Sequence, residues 1–138
     1  MPYNQPTLKG RLTVKLKTVL IVDDQESICS LVKASLENLW PTLKVVTCAD
    51  STRAMEKVKS LLPNLVILDV QMPEISGPDI AQAMKEHPDA KSIPIIFLTG
   101  ILTPEEARGR ADRVGRDIFI AKPINFGELT AAVEKYIQ

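Results

Sequence analysis

A chain of 138 residues that is 45% hydrophobic can fill the core of one domain and has no room for a second of similar size. Its 17 Lys+Arg balance 17 Asp+Glu, and a chain this apolar is not a disordered one. There is no run of about 18 apolar residues, which excludes a helical membrane span.

The neutral charge is a sum of unlike parts. Residues 1–17 carry Lys9, Arg11, Lys15 and Lys17 and no acid, and removing those four leaves 13 basic against 17 acidic residues, a formal balance of −4. The chain therefore divides into a basic N-terminal extension, 1–17, and an acidic body, 18–138. In the extension, RLTVKLK alternates polar and apolar residues, the pattern of a solvated arm or a short extra strand. Four cations are too few for a nucleic-acid or acidic-lipid arm. No apolar stretch of signal-peptide length precedes the body, so the expected location is the cytoplasm. Cys29 and Cys48 lack CxxC or metal-ligand spacing and read as small buried hydrophobes.

From residue 18 onward, strand-length apolar runs alternate with helical periodicity. TVLIVD (18–23) is a β-branched run ending in acid, the pattern of a strand buried on both faces. Ile28, Leu31, Val32, Ser35, Leu36 and Leu39 then recur at helical spacing until Trp40-Pro41. KVVTCA (44–49) is the second strand. Asp50 or Ser51 can cap a helix running to Leu61 or Leu62, which Pro63-Asn64 ends. LVILD (65–69) is the third strand, followed by a loop and a helix from about Gly77 to Glu86. PIIFLTG (94–100) is the fourth. Thr103, Pro104 and Glu106 then make a helix start with a capping box. DIFIAKP (117–123) is the fifth strand, and Asn125 can cap a last helix through Tyr136. Five strands alternating with five helices give a parallel α/β sheet covered on both faces.

In open sheets of this kind, ligands bind beyond the carboxyl ends of the strands. Those ends carry Asp23-Asp24, Asp69, Thr99-Gly100 and Lys122-Pro123. Each alone is weak: strand-terminal Asp residues form turns and caps, Thr fills strands, and Lys is usually solvated. Together they place three carboxylates, a hydroxyl and an ammonium on one rim. Three crowded carboxylates repel unless a cation joins them, which points to a hard divalent ion, Mg²⁺ first. A carboxylate-held metal beside Lys122 and Thr99 suits a phosphoryl group, and Gly100 keeps a side chain away from its approach. Asp69, central in the sheet, is the natural nucleophile for an acyl phosphate.

VDDQESI, VILDVQMPEISG, IIFLTG and IFIAKP stand in the order and near the spacing of one known family. From about Thr18 to Gln138 the chain resembles the receiver domain of two-component response regulators. The resemblance implies the flavodoxin-like fold with strand order 2-1-3-4-5. It implies that Asp69 takes a phosphoryl group from a phosphohistidine on a sensor histidine kinase or phosphotransfer protein. Asp24 would bind Mg²⁺ directly and Asp23 partly through water, with Asp69 and the backbone carbonyl of Gln71 completing the protein ligands. Lys122 would contact the phosphoryl group, and the Lys122–Pro123 bond is expected to be cis. Thr99 and Phe119 would form a switch that remodels the surface of the fourth helix, fifth strand and last helix. Phe119 lacks the hydroxyl of the Tyr common at that position. Met72-Pro73 and Gly77 fit the family's loop.

Gln71 and Ile101 occupy positions that in the family tune the lifetime of the acyl phosphate, and apolar Ile101 implies slow self-dephosphorylation. Arg108, Arg110, Arg113 and Arg116, with Gly109 between them, read as a solvated face of a helix of modest stability or as a dock for an acidic partner. His87 reads as a surface residue, and Trp40 and Tyr136 as packing.

The expected function is a phosphoacceptor switch that catalyses only its own phosphorylation and dephosphorylation. Two alternatives stand beside it. A Mg²⁺-dependent aspartyl-phosphate phosphatase or phosphotransferase would want an acid two residues after the nucleophile, where Gln71 stands. A receiver-like interaction domain that is never phosphorylated would not need the acid–Thr–Lys set. No nucleic-acid or membrane contact is expected. The chain is expected to be a monomer or a weak dimer through the switch surface, with an unknown effector partner. It stops after the last helix, as a stand-alone receiver or one cut from a longer regulator or hybrid kinase would.

Overall fold

A computed structural model describes residues 16–103, 105–106 and 118–137. Its strands are β1 (Thr18–Val22), β2 (Lys44–Cys48), β3 (Leu65–Asp69), β4 (Ile95–Thr99) and β5 (Ile118–Ala121). The helices of eight or more residues among the described ones are α1 (Glu26–Leu39), α2 (Ala54–Leu61), α3 (Gly77–Glu86) and α4 (Phe126–Ile137). All strand pairs are parallel, in the order β2-β1-β3-β4-β5.

The continuous apolar runs behave as strands buried on both faces. Every residue of β3 and β4 is buried, as are the last four of β1. Successive side chains alternate sides. Val19, Ile21, Leu65, Ile67, Ile96, Leu98 and Ile120 pack on one face with Val32 and Leu36 of α1 and Leu129 and Val133 of α4. On the other face Leu20, Val22, Val66, Leu68, Ile95 and Phe97 meet Val58 of α2 and Ile80 and Met84 of α3. Each fully buried Leu or Ile contributes about 1.5–3 kcal/mol of transfer free energy, so this two-sided core is what fixes the sheet.

Helix starts follow local hydrogen bonding. The Ser76 hydroxyl accepts from the Asp79 amide at the start of α3, and Asn125 Oδ1 accepts from the Glu128 amide at the start of α4. Asp50 accepts from the Thr52 amide, but a 3₁₀ turn, Ser51–Arg53, separates it from α2. The capping box forms: Glu106 Oε1 accepts from the Thr103 amide and Thr103 Oγ1 from the Glu106 amide. The body of the expected fourth helix, with Arg108, Gly109, Arg110, Arg113 and Arg116, lies outside the described residues, as do residues 1–15 of the basic extension. Both cysteines are buried free thiols, and Trp40 and Tyr136 pack partly buried against the α1/α4 side of the core. His87 closes α3, and its Nδ1 accepts from the Asp89 amide.

Register carries the chemistry to one rim. Val22 lies opposite Leu68, one residue before Asp23 and Asp69 respectively. Asp69 lies opposite Leu98, one residue before Thr99, and Thr99 lies opposite Ala121, one residue before Lys122.

Candidate phosphoacceptor site

Asp23, Asp24 and Asp69 each offer a carboxylate oxygen within 4.8 Å of the others. Asp23 and Asp69 are buried, 0% and 4% exposed, while Asp24 faces solvent. Lys122 reaches in from the end of β5 and puts its Nζ 2.9 Å from Asp23 Oδ2 and 3.3 Å from Asp69 Oδ1. One ammonium therefore serves two buried carboxylates.

The charges do not balance. Burial, and then the neighbouring Asp23 carboxylate, push the Asp69 carboxyl up to about 6 from its ordinary 3.8, against the pull of Lys122 and the Gln71 amide. For Lys122, burial acts to lower the pKa, but the two carboxylates outweigh it and hold the ammonium above its usual value. Asp23 Oδ2 meets Lys122 as an ion-pair partner without a geometrically formed hydrogen bond. A buried carboxylate oxygen of this kind is costly. The donor set is all oxygen, clustered, partly open to solvent and in electrostatic excess, and so it fits a hard divalent cation such as Mg²⁺.

The surrounding backbone explains the geometry. The Asp23 amide donates to the Cys48 carbonyl, and the Cys29 thiol donates to the Asp23 carbonyl at 3.2 Å. Burial raises that thiol to about 11, so it stays protonated. After β3 the chain turns back on itself: the Gly77 amide donates to the Val70 carbonyl, and a Cβ at Gly77 would fall 2.2 Å from the Asp69 carbonyl oxygen. No side chain fits there. Glu74 in this loop takes a positive φ of 68°. The loop is braced from outside by Ser51, whose hydroxyl donates to the Pro73 carbonyl at 2.7 Å and accepts from the Ile75 amide.

Thr99 is 2% exposed, and its Oγ1 accepts from the Ile101 amide. Ile101 itself is an exposed apolar side chain. A Cβ at Gly100 would meet no protein atom within 4 Å. The Lys122–Pro123 peptide is cis, and the Lys122 amide donates to the Thr99 carbonyl. Phe119 lies three residues before Lys122, partly buried, its ring stacked on Phe97 with centroids 4.7 Å apart. Gln71, two residues past Asp69, is exposed.

Sequence reasoning passed over Gln25. Its Oε1 accepts from Lys122 Nζ at 3.2 Å, and its amide donates to Asp23 Oδ1 at 2.9 Å. The signal was position: the first residue after an acidic pair where a strand gives way to a helix.

Comparison with known proteins agrees with this architecture. Residues 19–134 match the model of the response regulator receiver domain family. The response regulator Rre1 of Synechocystis sp. is 33% identical over 121 residues, 87% of this chain and 51% of Rre1. The chain spans between 18% and 53% of the length of the curated relatives it matches most strongly. The signal receiver domain of a DNA-binding response regulator from Colwellia psychrerythraea superposes with a TM-score of 0.76 at 27% identity, covering 86% of this chain and 96% of that one. The Vibrio cholerae chemotaxis protein CheY4 superposes with a TM-score of 0.74 at 29% identity, covering 88% and 99%. The chain belongs to the response regulator receiver domain family, whose members are the phosphoacceptors of two-component signalling.

Proposed function

We propose that Asp69 is the phosphoacceptor and that Asp23, Asp24, Asp69 and the Gln71 carbonyl form a Mg²⁺ site. The observation that carries this is the excess of carboxylate at the rim: buried Asp23 and Asp69 and exposed Asp24 clustered against a single ammonium. Mg²⁺, when bound, would neutralise charge on the carboxylates and the incoming phosphoryl oxygens.

The rest is done by the chain. An Asp69 carboxylate oxygen attacks phosphorus; the new O–P bond forms as the P–N bond of the donor phosphohistidine breaks, and the imidazole keeps the electron pair. Lys122 transfers its contact from Asp69 Oδ1 to a phosphoryl oxygen. The Thr99 hydroxyl donates to another, which draws it away from its place beside Ile101. Phe119 then leaves its stack on Phe97 for the space Thr99 vacated. That movement would change the surface of β5, α4 and the segment after Thr103, through which the chain meets an effector or, weakly, a second copy.

The donor is a sensor histidine kinase or phosphotransfer protein. We take residues 18–138 as the receiver and 1–17 as an extension, in a cytoplasmic protein that catalyses only its own phosphorylation and dephosphorylation and binds no nucleic acid directly. No helix among the described residues is long and apolar enough to cross a membrane.

The test is intact mass after incubation with Mg²⁺ and acetyl phosphate. The wild-type protein should gain a phosphoryl group and Asp69→Asn should not; no gain in the wild type would sink the proposal. Because Ile101 offers no group to orient an attacking water, the acyl phosphate should outlast purification, and a lifetime of seconds would count against that role.

A further inference from the structure

Lys122 makes an unusual reach. It follows β5, at one edge of the sheet, yet its ammonium meets Asp23, which follows β1 on the far side of β4 and β3. An ammonium has three protons to place, and here three oxygens surround it: Asp23 Oδ2 and Asp69 Oδ1 as ion-pair partners, and Gln25 Oε1 as a hydrogen-bond acceptor. Gln25 is the one uncharged member. Its backbone is fixed from both sides, since its carbonyl accepts from the Ile28 and Cys29 amides of the first turn of α1 and its amide donates to Asp23 Oδ1. Its side chain caps nothing in α1, so helix formation does not account for its orientation.

We propose that Gln25 is a positioning residue for Lys122, a neutral rest that holds the ammonium beside the carboxylates without binding it as tightly as a third anion would. This rests on the reading of Lys122 as the phosphoryl contact. The physical consequence is a competition. Lys122 and a divalent cation seek the same carboxylate oxygens, so any acceptor that draws off part of the ammonium favours the cation. With Gln25 removed, Lys122 settles wholly on Asp23 and Asp69 and opposes the cation more strongly. A carboxylate at position 25 does the reverse for the cation, yet holds Lys122 back from an arriving phosphoryl group.

The experiment is a calorimetric Mg²⁺ titration of the wild type, Gln25→Ala, Lys122→Met and the double variant, with phosphoryl uptake from acetyl phosphate measured alongside at saturating Mg²⁺. Gln25→Ala should weaken Mg²⁺ binding about three- to ten-fold, the net scale of one ordinary hydrogen bond. In the Lys122→Met background the same substitution should change nothing. Gln25→Glu should bind Mg²⁺ more tightly and take up phosphoryl more slowly, a split that simple damage to the fold would not produce. An equal loss in both backgrounds, or no loss in either, overturns the role of Gln25. A wild type that binds Mg²⁺ but gains no phosphoryl group overturns the phosphoacceptor reading instead, and the titrations still decide Gln25.

Discussion

Two lysine–carboxylate groupings in this fold have the same closest approach and opposite physics. Lys33 and Glu37, one turn apart on α1, meet at 2.9 Å, as do Lys122 and Asp23. The α1 pair is balanced and fully used. Glu37 Oε2 accepts from the Val45 amide, and Lys33 donates to the Val45 carbonyl, so the pair satisfies both backbone polar groups of Val45 on β2, an edge strand among the described residues. The Val45 amide, and then Lys33, hold the Glu37 carboxyl below its ordinary value. At the rim the lysine is outnumbered, Asp69 is pushed up, and an Asp23 oxygen goes without a hydrogen bond. A structural pair closes its charges; the rim leaves carboxylate in excess, which a ligand can complete.

The largest expected difference comes from removing each lysine. In metal-free protein, Lys122→Met strands two buried carboxylates and should cost about 3 kcal/mol, whereas Lys33→Met, at a half-exposed pair, should cost less than about 1 kcal/mol. Urea unfolding of the two variants measures this, and similar losses would erase the distinction.

Next is the sign at Asp69. Its folded pKa of about 6 exceeds the ordinary 3.8, so the folded state binds the proton more tightly and loses stability as pH rises between those values. Asp69→Asn should therefore stabilise the metal-free protein by about 2 kcal/mol above pH 6, an advantage that vanishes near pH 4. A variant no more stable than wild type at pH 7 would contradict it.

The smallest effect belongs to Glu37. Its depressed pKa means stability present at neutral pH and lost as pH falls through the folded value, so Glu37→Gln should cost roughly 0.5 kcal/mol at pH 7 and nothing at low pH. Thermal melts across that range measure the difference.

The contrast also marks what the sequence could tell. Strand ends were legible because buried parallel strands are unbroken apolar runs, so the acid, hydroxyl or amine that stops each one stands out. Their convergence followed from sheet order. The contacts that tune the rim were not legible, since they join distant loops through ordinary polar residues: Ser51 braces Pro73, and Gln25 meets Lys122 across 97 positions. Gly77 resembled a helix start, and only the close approach of the Asp69 carbonyl explains why it has no side chain.

The central claim is that Asp23, Asp24 and Asp69 act as one cation-dependent phosphoryl-accepting unit. Its most direct test is phosphoryl uptake from acetyl phosphate followed by intact mass across a Mg²⁺ titration, beside the urea midpoint of unphosphorylated protein over the same concentrations. Uptake and stability should rise along one curve, with no uptake in chelator. Full uptake without divalent cation would contradict the account.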